Sequence, residues 1–261
     1  MNSIFSIEDL LKTAQSNEFV DNFNRTLDYL NKKEKVVFIT TSNRYQFKGA
    51  EKETPKSTQI AVALSDRMKK KPEIVNVDSL KIYMCEANIS RSTGNNCGAK
   101  DSAIKDKDKN PTGNHRCWAS INNKDDELWK VSKPLLESDC SVFFSSIRWG
   151  QACGLYQKLI ERLSWIENIH VTLNEKNFVK DIETGFICTG HNWRGADVVK
   201  VQKQVLSFFG FKTPDPLFWN WQWTKDAKDE EIEHYKQDSK DFEKLIKLTI
   251  KGKEANEGKA K

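Results

Sequence analysis

No apolar run in the 261 residues approaches the roughly 20 needed to cross a bilayer, so no membrane span or membrane partner is expected. The opening stretch, Met1-Asn2-Ser3-Ile4-Phe5-Ser6-Ile7-Glu8-Asp9, has neither the basic region nor the long apolar core of a secretory signal. A cytoplasmic location is the default expectation. There is no Walker-type Gly-Lys-Ser/Thr sequence and no G-x-G-x-x-G, which leaves nucleotide hydrolysis and a dinucleotide-binding fold poorly supported. The formal net charge is only +5 and is spread along the chain. Lys69-Lys70-Lys71 lies near a helix end, and Lys105, Lys107 and Lys109 alternate with Asp106 and Asp108. No basic face emerges, so nucleic acid is not an expected partner. Internal repeats are also missing.

What is present is a globular composition, with 38% hydrophobic and 30% charged residues, at a length that allows one well-buried domain. Amphipathic segments at 7–14 and 19–30 read as N-terminal helices, with Phe19, Phe23, Leu27 and Leu30 at helical spacing. Lys35-Val36-Val37-Phe38-Ile39-Thr40-Thr41 is a continuous run suited to a strand buried on both faces. Ser57 is then expected to cap a helix reaching residue 70, with Ile60, Ala61, Leu64 and Met68 as its apolar stripe. A strand follows over 73–80. Residues 84–123, rich in Gly, Asn, Ser, Asp and Lys, fit no regular period. Beyond them the pattern gives a helix at 125–137, a strand at 139–145 and a helix after Gly154. A strand at 185–190, a helix at 196–209, a strand at 216–223 and a final helix at 229–250 complete it. Five strands separated by helices imply a parallel sheet in a three-layer α/β/α sandwich. The organisation expected is one domain over 1–250, with a helical extension at 1–33, an irregular insertion at 84–123 and a solvated tail at 251–261.

Three strands end in polar loops at what would be one edge of the sheet, where ligands of open α/β sheets bind. The first offers Ser42 and Arg44 and leads to Ser57 and Thr58 at a helix start, the hydroxyls, guanidinium and free amides that suit a phosphate monoester. The second, Ser146-Ile147-Arg148-Trp149-Gly150, sets an aromatic between small residues, where it can lie against a planar cofactor. The third opens Thr189-Gly190-His191 and again carries a Trp, at position 193.

These loops resemble those of the NADPH-dependent FMN reductase family, and the element order resembles the flavodoxin-like fold. The family's first strand leads through a Gly-Ser-Pro-Arg loop to an Asn-Ser/Thr helix start. The counterparts here are Ser42-Asn43-Arg44 and Lys56-Ser57-Thr58. Its second signature, Pro-x-Tyr-Trp-Gly-x-x-x-Gly-x-x-Lys-x-x-x-Asp-Arg, is matched at Trp149, Gly150, Gly154 and Arg162, with Glu161 for Asp. Arg148 stands for the Tyr and Ser146 for the Pro, and the first loop is lengthened by the charged segment 46–56. The resemblance covers residues 35–223 and implies a flavodoxin-like α/β protein that binds FMN non-covalently. It implies that Ser42, Arg44, Ser57 and Thr58 hold the phosphate and that Ser146, Ile147, Arg148, Trp149 and Gly150 border the isoalloxazine. Thr189, Gly190 and His191 complete the cofactor site. NAD(P)H as cosubstrate, a small-molecule electron acceptor and a homo-oligomer follow from the same resemblance. Hydride transfer requires no side-chain acid or base, so no catalytic residue is named. Two alternatives stand beside the reductase: a flavodoxin-type electron carrier, and a metal-stapled interaction protein on this scaffold.

Arg148 admits two readings, an anion-binding group beside the flavin or a partner of a nearby carboxylate. The insertion brings Cys85, Cys97, His115 and Cys117, three thiolates and an imidazole that would suit tetrahedral zinc, at a place where some relatives carry an iron–sulfur cluster. The usual Cys-x-x-Cys knuckle is missing, and an ordered lid or an oligomer contact is the competing reading. Cys140 and Cys188 sit in strand patterns as small buried hydrophobes. Cys153 is either a reactive thiol at a helix start or a packing residue. Trp219, Trp221 and Trp223 alternate along the last strand and so share one face.

Overall fold

Runs of β-branched and aromatic residues make the sheet of the computed structural model, which describes residues 14–44, 48, 53–190, 194–222 and 240–247. The strands are β1 (Val36–Thr40), β2 (Glu73–Asn76), β3 (Cys140–Arg148), β4 (Gln151–Ala152), β5 (Glu183–Gly190) and β6 (Phe218–Gln222). β1 is buried at every position, as a central strand covered on both faces must be. The order is β2-β1-β3-β5-β6 with all neighbours parallel, and β4 folds back antiparallel on the end of β3. Counting the parallel strands alone, this is the 2-1-3-4-5 order of the flavodoxin-like fold.

The helices are α1 (Ala14–Leu30), α2 (Lys56–Arg67), α3 (Trp118–Asn122), α4 (Trp129–Leu136), α5 (Gly154–Leu163), α6 (Trp165–Val171), α7 (Gly195–Phe208) and α8 (240–247). The pleat sorts the sheet's side chains between two layers. Phe38, Val142, Phe144, Ile187 and Trp219 fall on one face by register. α1 covers Trp219 and Trp221 there: Phe19 meets both rings edge-on at 5.7 and 5.8 Å, and Trp219 Nε1 donates to Thr26 Oγ1 at 2.8 Å. Phe242 of α8 lies 4.7 Å from Trp221, so the final helix does cover this tryptophan face. Trp223 lies outside the described residues. On the opposite face Tyr156 of α5 packs on Phe143 and Phe186, with ring centroids 5.8 and 4.8 Å away.

Most elements fall where periodicity sets them. The expected helix at 7–14 lies almost wholly outside the described residues, as does much of 229–250. None of the helices among the described residues is long and apolar enough to cross a membrane. β3 runs three residues past its expected end, a difference that matters for the site. Ser57 is not a cap: Pro55 occupies that position, and Ser57 lies inside the first turn.

The insertion is irregular as expected, and its staple is a buried polar network rather than a metal. Arg162 of α5 donates through Nη1 to Tyr83 O and Asp126 Oδ1, at 2.7 and 2.8 Å, and through Nη2 to Asp126 Oδ2 and Ser120 Oγ, both at 2.9 Å. Ser120 Oγ in turn donates to Asp126 Oδ2 at 2.9 Å. That spends the only Ser120 proton, so His115 Nε2, 3.1 Å away, must donate to Ser120 Oγ. His115 Nδ1 is then the acceptor for Ser132 Oγ at 2.6 Å. The imidazole stacks on Trp165 at 5.2 Å, and burial, helped by the Arg162 charge, pushes its pKa down to about 3.

The zinc or iron–sulfur reading of Cys85, Cys97, His115 and Cys117 is thereby corrected. Both His115 nitrogens are engaged by hydroxyls, and among the described residues no group of three or more His, Cys, Asp or Glu side chains could hold a metal ion. The anchoring contacts of the insertion run to the later part of α5 and to α6, away from the carboxyl edge of the sheet. Gly98 leaves room for Trp165 and Ile169, and Arg116 pairs with Glu175 at 2.9 Å.

Candidate functional site

Parallel register gathers the predicted phosphate residues. The ladder continues past β1, with Thr41 N donating to Phe144 O at 2.9 Å. Thr40 lies opposite Phe144 and Ser146 opposite Thr189, so two further residues bring Ser42 level with Ser146 and Thr189. The pleat turns all three toward the layer that holds α1 and α2. α2 starts directly beneath them. Its N-cap, Pro55, is extended (φ −57°, ψ 142°) and offers no capping oxygen, so the first-turn amides face this edge without a side-chain acceptor from the cap. Ser57 Oγ lies 2.7 Å from Ser42 Oγ, both side chains buried, while Thr58 is half-buried beside them. Arg44 Nε and Ser146 Oγ are buried and have no hydrogen-bond partner. An unpaired buried donor or hydroxyl costs about 1–3 kcal/mol, so such atoms call for a ligand or a functional reason.

The second predicted loop is a hairpin. β3 continues through Arg148, Arg148 pairs with Gln151, and Trp149 and Gly150 form the turn with φ of 51° and 68°. Left-handed backbone at both central residues marks the primed turns that match strand twist, for which Asn-Gly is the usual sequence. A Trp in that region carries a cost of about 1–2 kcal/mol. Trp149 is 90% exposed, so little burial offsets this cost. Gly150 also leaves space for Arg194, whose Cδ would lie 3.0 Å from an added Cβ. Arg148 is exposed beside the indole, and no carboxylate among the described residues pairs with it. Ile147 has a packing role: Cβ atoms on Gly190 and Gly195 would fall 2.6 and 3.1 Å from its side chain. Thr189 is buried at the end of β5, and His191 lies outside the described residues.

Sequence reasoning left one group unassembled. Thr41 and Ser145 point to the α5 side of the same edge, and Cys153, at the N-cap of α5, sits between them. Its Sγ lies 3.4 Å from Ser145 Oγ, 3.7 Å from Thr41 Oγ1 and 3.2 Å from Thr41 O. Burial opposes its ionisation, but the hydroxyls of Ser145 and Thr41 and the amides of Tyr156 and Ser146 outweigh burial and lower the thiol pKa. Only the strand register, absent from one-dimensional spacing, shows that these three residues meet.

No protein-family model matches the chain, and no curated protein does either. Solved structures do. RosB, in a crystal structure with the bound intermediate 8-demethyl-8-formylriboflavin-5′-phosphate, is 14% identical with a TM-score of 0.50, over 83% of this chain and 75% of that one. The azoreductase AzrA is 12% identical with a TM-score of 0.45, over 84% and 100%. A putative quinone reductase from Klebsiella pneumoniae is 12% identical with a TM-score of 0.45, over 83% and 84%. At such identities the likeness is one of fold, and together with the strand order it gives this chain a flavodoxin-like fold.

Proposed function

We propose that this protein is a flavin-dependent oxidoreductase that binds FMN non-covalently at the carboxyl edge of its sheet and reduces it with NAD(P)H. One observation carries the reading. Two buried, partnerless polar atoms, Arg44 Nε and Ser146 Oγ, flank the Ser42–Ser57 pair and the uncapped first turn of α2. The Arg44 guanidinium, the hydroxyls of Ser42, Ser57 and Thr58 and the helix-terminal amides at one edge form a donor set for a dianionic phosphate, with Ser146 Oγ left for the ring side. Ser42, Arg44, Ser57 and Thr58 would hold that phosphate. Ser146, Arg148, Trp149 and Gly150, with Thr189, Gly190 and His191, would border the ring, and Ile147 would set the height of the hairpin by packing on Gly190.

FMN supplies the hydride-accepting and hydride-donating chemistry when bound. The chain's own part is to bind, orient and shield. Trp149, held in an unfavourable backbone region while exposed, offers an apolar face next to the ring-side residues. Arg148, unpaired among the described residues, offers a positive charge for the phosphates of a nicotinamide nucleotide or for an acidic acceptor. The reading is tested by replacing Ser57 and Thr58 together with Ala and titrating FMN and riboflavin. FMN affinity should fall at least tenfold more than riboflavin affinity, and equal losses for the two ligands would exclude the phosphate site.

A further inference from the structure

β6 is the last strand of the sheet, so beyond its edge no further strand separates the two helical layers. α1 and the first turn of α7 border a cavity of 210 Å³ at the carboxyl end of this strand. Its walls are Glu18 and Phe19 of α1, Ala196 of α7, and Asn220, Trp221 and Gln222 of β6. None of these residues belongs to the phosphate or ring-side set. Trp221 pairs with Thr189 and Gln222 with Gly190 in the parallel ladder. The cavity therefore lies one strand, about 4.8 Å, beyond the ring-side residues at the end of β5. We propose that it receives the adenine ring of the nicotinamide nucleotide, an assignment that rests on the reductase reading above.

Size sets the first limit. Pockets that enclose a whole drug-sized ligand run to roughly 300–1,000 Å³. At 210 Å³ this one holds a single ring system, and the rest of a nucleotide lies outside it. The walls set the second limit. Phe19 and Trp221 meet edge-on at 5.8 Å and give the cavity an aromatic side, and Trp221 is only half-buried. Bases of every kind stack on such rings, since each presents a π-face. The polar walls then choose among them. Neither the Asn220 and Gln222 carboxamides nor the Glu18 carboxylate has a hydrogen-bond partner among the described residues. A carboxamide sets a donor beside an acceptor, the complement of adenine's exocyclic amine and neighbouring ring nitrogen. A carboxylate accepts from that amine but has nothing to donate to a carbonyl. Glu18 is the one ionisable wall residue, so phosphates are repelled from the cavity. They meet a cation beside it. Arg194, two residues before Ala196, packs its Cδ 3.0 Å from where a Gly150 Cβ would lie, and so joins the cavity wall to the Trp149 hairpin. Its ion pair with Asp197, at 3.4 Å, is exposed and weak. Glu18 and Phe19 lie in the helical extension, outside the 35–223 stretch that resembles the reductases, so this wall is the chain's own.

The test uses the full chain, with and without saturating FMN, titrated with adenosine and inosine by calorimetry. These nucleosides carry no phosphate and differ at the amine of adenine, which is a carbonyl in inosine. One adenosine should bind per chain in both conditions, at least about fivefold more tightly than inosine. Glu18→Ala and Gln222→Ala should each weaken adenosine about fivefold or more and leave FMN affinity unchanged. Glu18 is exposed, so its replacement spares the packing of α1. Equal binding of the two nucleosides, adenosine binding that both substitutions leave untouched, displacement of adenosine by FMN, or no adenosine binding at all would each overturn the inference. Its failure is separable from that of the reductase. A flavin bleached by NADH or NADPH in a protein that ignores adenosine would remove only the cavity assignment. Adenosine bound in the predicted way, beside a flavin that neither nucleotide reduces, would support the adenine site and overturn the reductase.

Discussion

Asp126→Asn removes the charge at the centre of the network that holds the insertion. Asp126 and Arg162 side chains are both 0% exposed, so neither has water to fall back on. The carboxylate accepts from Arg162 twice, from Ser120 Oγ and from the amides of Tyr83 and Leu128, at 2.8 to 3.2 Å. An Asn keeps the shape but turns one acceptor atom into a donor facing donors, and it leaves the guanidinium uncompensated. Breaking a buried pair from one side costs about 3–5 kcal/mol, and Asp126→Asn should cost as much because all of these bonds converge on one group. Urea unfolding followed by tryptophan fluorescence reads the loss directly, as a lower midpoint with unchanged slope. Replacing both partners with apolar residues should cost less than the sum of the single changes. A loss under about 1 kcal/mol for Asp126→Asn would refute the view that this network, rather than a metal, orders the insertion. Although burial opposes ionisation, Arg162 holds the Asp126 carboxyl below its usual range. Its contribution is therefore present above the ordinary carboxylate pKa and is lost as pH falls through the depressed value.

His115 should give a second acid-side slope. Its pKa is pushed from 6.5 to about 3 on folding, so the unfolded chain binds the extra proton between those values and stability drops as pH falls below 6.5. At about 1.4 kcal/mol per unit the ceiling is near 5 kcal/mol, and melting curves between about pH 7 and pH 4 should flatten in His115→Gln. Gly190→Ala would place a Cβ 2.6 Å from Ile147 Cβ. It should cost about 1–3 kcal/mol and weaken flavin binding as the hairpin shifts, both readable by thermal melting with and without FMN. Trp149→Gly removes an exposed side chain from a left-handed position. Relief of about 1–2 kcal/mol of left-handed strain, offset in part by the greater freedom of Gly in the unfolded chain, should leave the variant no less stable, while stopped-flow reduction of the bound flavin by NAD(P)H should slow.

The placement of strands and helices along the chain was legible because the apolar runs carry it: Val36 to Thr40, Cys140 to Phe144 and Phe186 to Cys188 read as interior strands and are buried ones. The meeting of Ser42 and Ser57 at the sheet edge was legible for the same reason, since they follow and precede such runs, and their hydroxyls lie 2.7 Å apart. The Trp149 hairpin was not. Its turn sequence is Trp-Gly where Asn-Gly would have announced it, so the apolar pattern alone ends the strand at residue 145. The staple of the insertion was also hidden. Arg162 and Asp126 lie thirty-six residues apart and meet only through tertiary packing, and spacing suggested thiolates and an imidazole instead. His115 was rightly singled out, but its partners are the hydroxyls of Ser120 and Ser132.

The central claim is that the carboxyl edge holds an FMN that accepts hydride from a nicotinamide nucleotide. Anaerobic mixing of the FMN-loaded protein with NADH or NADPH tests it most directly. Hydride transfer requires the reacting atoms to approach to about 3–3.5 Å, so a competent site should bleach the oxidised flavin band rapidly. Arg148→Ala should slow this bleaching while FMN stays bound. A flavin that neither nucleotide reduces, but that dithionite reduces readily, would contradict the reductase and leave an electron carrier in its place.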